Sequence, residues 1–202
     1  KKKMSLELKP NAQPIHCRPF PVPRIHEMTF RKEIEQMCTD GVLERVGATT
    51  HAYPTFIIPK KDGRVRVVSD FRKLNDNLIR RVYPLPRIQD ILRKRNGYKY
   101  FTKIDIAMQY YTFELDEAAS ELCVIITPFG KYKYKRVPMG IKQSPDFAQQ
   151  MMEELFQDVE EVDVYIDDVG FFTNDFESHC RILNIVLTRL QSHNFTVNPL
   201  KC

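Results

Sequence analysis

The sequence predicts an α+β fold, in which antiparallel strands and helices are grouped rather than strictly alternated. β-prone apolar runs come in neighbouring pairs joined by short polar turns, the mark of antiparallel hairpins. Helical stretches fall between those hairpins and not after every strand, which speaks against a doubly wound parallel sheet. The 202 residues, 43% hydrophobic and 28% charged, suffice to bury the core of one or two domains.

Residues 1–30 are rich in proline (Pro10, Pro14, Pro19, Pro21, Pro23) and are expected to be extended. Residues 31–38 read as a short helix stopped near Asp40-Gly41. Two strands are expected at 55–59 and 65–69, joined by Lys60-Lys61-Asp62-Gly63-Arg64, where Asp-Gly is a strong hairpin signal and the tip is basic. A helix over 87–95 should end at Asn96-Gly97. Strands follow at 100–106, 111–115, 122–127 and 132–136. Ser144-Pro145 opens a helix to 157, since proline suits a first helical turn. An acidic hairpin spans 162–172, a last helix 176–192 and a short strand 195–197. There is no internal repeat or low-complexity segment.

No apolar run approaches the roughly 20 residues that span a bilayer, and Lys1-Lys2-Lys3-Met4 lacks the apolar core of a signal peptide. The sequence starts without an initiator Met and stops at Leu200-Lys201-Cys202, so a segment of a longer chain is expected. Five dispersed cysteines (Cys17, Cys38, Cys123, Cys180, Cys202), with no CxxC pair, argue against a disulfide framework and a structural zinc site. The net charge of +5 hides an asymmetry. Residues 1–103 carry 23 Lys and Arg against 10 Asp and Glu, and residues 104–202 carry 8 against 16. A basic half suits a polyanion partner, and the acidic half holds the candidate metal ligands.

The most informative feature is Asp167-Asp168, at the joint of two β-prone apolar runs within the stretch 162–172. Adjacent like charges repel, and folding alone gives no reason to place them together, although Asp is also common in solvated turns. Asp105 ends the apolar strand 100–104. If the two segments are neighbours in one sheet, three carboxylates converge and can hold two hard cations through oxygen. Two such ions about 4 Å apart stabilise the entering and leaving oxygens of phosphoryl transfer.

These residues carry a family resemblance. Tyr165-Ile166-Asp167-Asp168 resembles the Tyr-x-Asp-Asp box of reverse transcriptases, and Phe101-Thr102-Lys103-Ile104-Asp105-Ile106 the motif of their first catalytic Asp. Val137-Pro138-Met139-Gly140-Ile141-Lys142-Gln143-Ser144-Pro145 resembles the template-grip motif, and Ser69-Asp70-Phe71-Arg72-Lys73-Leu74-Asn75 the fingers motif. From about Leu6 to Cys202 the chain resembles the fingers and palm of a gypsy-type long-terminal-repeat retrotransposon. The resemblance implies a right-hand polymerase with a palm of antiparallel sheet backed by helices. Fingers would span 1–84 and 113–143 and palm 85–112 and 144–202, the sequence stopping before a thumb.

Carried over by position, the resemblance makes Asp105, Asp167 and Asp168 the catalytic, metal-binding carboxylates, with the carbonyl of Ile106 a further ligand. The cofactor implied is two Mg²⁺ ions, with Mn²⁺ as an admissible substitute. Tyr110, with Ala107 beside it, matches the bulky residue under the sugar that rejects a ribose 2′-hydroxyl. Lys61 and Arg66 match the basic residues that close on the triphosphate, with Lys60 an alternative to Lys61 because the turn is short. Met139 stands where retroviral enzymes often carry Gln, and a thioether cannot make the amide's hydrogen bonds. Arg72, Pro138, Gly140 and Tyr165 are implied to contact template or primer, Arg72 having an ion pair as its competing reading. Lys201 loosely matches a palm lysine that protonates pyrophosphate.

The expected activity is RNA- and DNA-directed DNA synthesis from dNTPs on a primed template. Thumb, RNase H, protease and integrase domains would accompany it in a Pol polyprotein. The implied setting is intracellular: a cytoplasmic virus-like particle, with a nuclear phase allowed. A domesticated palm that binds nucleic acid without catalysis would usually have lost a metal carboxylate, and all three are present. An RNA-dependent RNA polymerase would carry Gly-Asp-Asp and a small residue at the sugar, where this chain has Ile166-Asp167-Asp168 and Tyr110.

Overall fold

The computed structural model describes residues 2–61 and 63–202. In chain order the elements are α1 (Arg24–Thr39), β1 (Leu43–Val46), β2 (Tyr53–Pro59), β3 (Val65–Ser69), α2 (Arg72–Asn77) and α3 (Ile88–Lys94). Then come β4 (Tyr100–Ala107), a 3₁₀ turn (Gln109–Thr112), α4 (Glu117–Leu122), β5 (Val124–Thr127), β6 (Gly130–Tyr134) and α5 (Ser144–Phe156). The chain closes with β7 (Val162–Tyr165), β8 (Asp168–Thr173), α6 (Phe176–Ser192), β9 (Thr196–Val197) and a second 3₁₀ turn (Pro199–Lys201). They divide into two compact units, one of residues 1–80 with 113–144 and one of 81–112 with 145–202.

The first unit is built on a five-stranded sheet in the order β1-β6-β5-β2-β3. All its pairings are antiparallel except β2 with β5, where Tyr53 and Pro54 lie beside Ile125 and Ile126. α1 presents Phe30, Ile34 and Met37, spaced as one helical face, as its buried side. Tyr53, Phe71 and Tyr134 form an aromatic chain in the core, with ring centroids 5.4 and 6.0 Å apart.

Three expectations need correction here. α1 begins at Arg24, seven residues before the expected start at 31, because Pro23 directly precedes the first turn and Glu27 favours that turn's dipole. The strand expected at 111–115 does not form, Glu114 and Leu115 making only isolated bridges, and the strand expected at 122–127 forms as β5 but starts two residues late, at Val124. The 3₁₀ turn runs through Thr112, and α4, which Asp116 caps by accepting from the Ala119 amide at 2.7 Å, runs through Leu122. β1 and α2 had no counterpart in the sequence reading, β1 being held by its pairing with β6. Asp62 of the expected Asp-Gly hairpin lies outside the described residues, but β2 and β3 do pair antiparallel up to Pro59 opposite Val65.

The second unit is a four-stranded antiparallel sheet in the order β7-β8-β4-β9. Alternation along β4 and β8 gives it two faces. Tyr100 and Thr102 of β4, with Phe171 and Thr173 of β8, point to α6, where His179 lies within hydrogen-bond distance of both Thr102 and Thr173 at 2.8 Å. Phe101, Lys103 and Asp105, with Asp168, Gly170 and Phe172, share the opposite face. Phe171 is fully buried, so Phe171→Ala should cost about 3–5 kcal/mol in denaturant unfolding. Among the described residues no helix is long and apolar enough to cross a membrane.

Candidate active site

The register of β4 and β8 sets Asp105 directly opposite Asp168 on one face of the second unit's sheet. Like charges so placed destabilise a sheet unless something compensates them. Two lysines do so: Lys103 Nζ lies 3.0 Å from Asp168 Oδ2, and Lys201 Nζ lies 3.5 Å from Asp105 Oδ2. Hydrogen bonding to Asp168 raises the Lys103 pKa above the ordinary lysine value. Asp105 is buried at 9% exposure, whereas Asp167 in the turn is exposed.

The turn itself is Ile166-Asp167, and its backbone is unusual. Ile166 has φ +54°, a region β-branched residues rarely enter. Three partners hold it. Gln149, fully buried on α5, accepts from the Ile166 amide at 2.7 Å, and Gln109 donates Nε2 to the Ile166 carbonyl at 2.9 Å. The Asp167 carbonyl accepts from the Ile106 amide at 2.9 Å. Tyr110 follows Gln109 in the 3₁₀ turn; burial and then the charge of Asp167 push its hydroxyl pKa up.

Of the residues singled out in the sequence, the second unit brings together Asp105, Ile106, Ala107, Tyr110, Tyr165, Asp167 and Asp168. Lys201 also belongs to the second unit, and Lys60, Lys61, Arg66, Arg72, Pro138, Met139 and Gly140 stand in the first. Arg66, opposite Ile58 in the β2–β3 hairpin, directs a guanidinium N–H to Met139 Sδ at 3.2 Å, and Lys61 is exposed in the same hairpin's loop. Pro138 is buried and its carbonyl accepts from Ser144 Oγ at 3.0 Å. Gly140 has φ +93°, and its carbonyl accepts from Asn75 Nδ2 at 2.7 Å. A Cβ there would lie 3.4 Å from the Ser69 carbonyl, so Gly140→Ala should cost about 1–3 kcal/mol in denaturant unfolding. Arg72 makes the ion pair that competed with its template role: its Nε and Nη2 reach Asp70 at 2.8 and 2.7 Å and hold that carboxyl below its usual range.

Sequence reasoning missed Gln109, Gln149 and the charge on Lys103 as parts of the site. The two glutamines gave no usable signal, because an amide beside apolar residues reads as an ordinary turn or helix position. Lys103 could have been found, since it lies two residues before Asp105 and therefore on the same strand face.

The Asp105, Asp167 and Asp168 carboxylates and the Ile106 carbonyl all offer oxygen, the donor type that suits a hard divalent cation. Among the described residues no three Asp, Glu, His or Cys side chains close into a metal cage by themselves. Mg²⁺ does not ask for one: it is commonly held by one or two carboxylates with water and substrate phosphate completing the octahedron. The residues fit the ion.

The family model described as "Reverse transcriptase (RNA-dependent DNA polymerase)" matches residues 58–202. The chain belongs to the reverse transcriptase family. It is 30% identical to the retrovirus-related Pol polyprotein from transposon 297 of Drosophila melanogaster, over 94% of the chain and 18% of the relative. It is 28% identical to the transposon Tf2-3 polyprotein of Schizosaccharomyces pombe, over 92% of the chain and 14% of that protein. The chain thus spans about a fifth or less of the curated relatives, which are longer Pol polyproteins. Among solved structures, the prototype foamy virus protease-reverse transcriptase superposes with a TM-score of 0.84 at 24% identity, covering 93% of this chain and 25% of the other. That likeness confirms the right-hand polymerase fold.

Proposed function

We propose that this chain is the fingers and palm of a retrotransposon Pol polyprotein and catalyses RNA- and DNA-directed DNA synthesis with two divalent cations, Mg²⁺ in the first place. The reading takes the first unit as fingers and the second as palm. The observation that carries it is the register that sets Asp105 opposite Asp168 beside a turn presenting Asp167. Asp105, Asp167, Asp168 and the Ile106 carbonyl would hold the cations. Bound there, they would supply Lewis acidity and neutralise phosphate charge.

In this reading the primer 3′-oxygen attacks the α-phosphate in line. The new O–P bond forms as the bond to the β-phosphate oxygen breaks, and pyrophosphate leaves. Tyr110 would stand under the sugar, with Ala107 leaving room beside it. Lys61 and Arg66 would bind the triphosphate, and Met139 would rest against the sugar without donating a hydrogen bond. Arg72, Pro138, Gly140 and Tyr165 would line the template and primer, with Arg72 exchanging Asp70 for a phosphate. Lys201, 3.5 Å from Asp105, would give a proton to the departing pyrophosphate. A cytoplasmic particle with a nuclear phase follows from the same reading, as do partner domains for thumb, RNase H, protease and integrase functions.

The test is primer extension by the full-length Pol chain on an RNA template with dNTPs and Mg²⁺. DNA product is expected. Extension with ribonucleotides alone would favour an RNA polymerase, and template binding without extension a non-catalytic palm.

A further inference from the structure

We propose that Gln109 is a positioning residue for the metal-binding acids: its buried side-chain amide locks the Ile166-Asp167 peptide and thereby aims Asp167. The inference rests on the metal reading above and adds to it a residue outside the acid motifs.

The turn contains three successive peptide groups, and a different segment holds each. Gln149 of α5 accepts from the Ile166 amide, Gln109 donates to the Ile166 carbonyl, and Ile106 of β4 donates to the Asp167 carbonyl. The middle peptide is the one on which Asp167 hangs. At φ +54° Ile166 sits in a conformation that isoleucine does not hold by itself, so without an external bond that peptide is free to rotate toward a commoner turn. A rotation there would redirect the carboxylate of Asp167. Since the Ile166 carbonyl can only accept, the atom facing it must be the amide nitrogen, which fixes the orientation of Gln109.

The other arm of the same amide shows that core stability does not explain the residue. Gln109 is 2% exposed, and its Oε1 is buried with no hydrogen-bond partner among the described residues. A buried, unpaired acceptor is destabilising, and a Met or Leu of similar volume would fill the space without it. What Gln109 does that Met cannot is hold the Ile166 carbonyl. It also immediately precedes Tyr110, so one side chain ties the segment that bears Tyr110 to the turn that carries Asp167 and leads into Asp168.

The experiment titrates Mn²⁺ by electron paramagnetic resonance into the full-length Pol chain bound to a dideoxy-terminated primer-template and dNTP. Wild type, Asp167→Asn and Gln109→Met are compared, with melting temperatures measured alongside. Gln109→Met is expected to weaken Mn²⁺ binding about tenfold, the scale seen when a group that orients a metal ligand is removed. Its melting temperature should stay within a few degrees of wild type, because the lost hydrogen bond is offset by the loss of the unpaired Oε1. Wild-type Mn²⁺ affinity in a folded Gln109→Met protein would overturn the inference, and so would failure of that variant to fold. If wild type and Asp167→Asn bind Mn²⁺ equally, the metal reading itself fails, which is a distinct outcome.

Discussion

Asp167→Asn should abolish templated DNA synthesis, lowering the single-nucleotide extension rate by about 10³-fold or more, about 4 kcal/mol of transition-state stabilisation. The substitution keeps the size of the side chain and, on the proposed reading, removes one anionic ligand from a set completed by Asp105 and Asp168. The backbone should tolerate the change, because the turn is held through its main chain by Gln149, Gln109 and Ile106 and not through the Asp167 carboxylate. An unchanged melting temperature therefore accompanies the expected loss of rate. Asp105→Asn should be at least as severe. Its carboxylate is buried against Asp168, and removing its charge leaves Lys201 without its partner. A quenched-flow measurement in which either variant kept even a tenth of the wild-type rate would contradict the role assigned to the acids.

Tyr110→Ala should let ribonucleotides into the product. The 3₁₀ turn that bears Tyr110 starts with Gln109 tied to the acid turn, and the ring is near enough for Asp167 to act on its hydroxyl. On the proposed reading, a half-buried ring in that place would leave no room for a hydroxyl on the 2′ carbon. Relieving a clash of this kind is worth about 1–3 kcal/mol, so discrimination against ribonucleotides should fall by about 10- to 100-fold while dNTP use continues. Competitive single-nucleotide extension with dNTP and rNTP reads the ratio directly. Unchanged discrimination would assign Tyr110 to the core instead.

The site was legible to different depths in the sequence. The apolar runs around Asp105 and Asp167-Asp168 have the period and the turn chemistry of strands, and the two strands do pair, with Asp105 in register with Asp168. The helix over Phe176–Ser192 was legible to the residue, because Asp175 caps it and its apolar positions recur at helical spacing. α4 and β1 were not. α4 has six residues, too few for periodicity to show, and β1 is a strand only because β6 pairs with it. The early start of α1 was hidden by the prolines before it, which signal extended chain up to the residue where proline instead precedes a helix. What supports the acids was the least legible. Gln149 is 40 residues from Gln109, and nothing local to either shows that both reach Ile166. Ile is also a residue no turn rule would place at positive φ, so the strained centre of the motif read as a plain strand residue.

The central claim is that acids from two adjacent strands form a two-cation centre for nucleotidyl transfer. The most direct measurement is anomalous scattering from a crystal of the Pol chain with dideoxy-terminated primer-template, dNTP and Mn²⁺. Two peaks about 4 Å apart are expected, both against the Asp105, Asp167 and Asp168 carboxylates. A nucleotide bound in place with no anomalous peak at those acids would contradict the account.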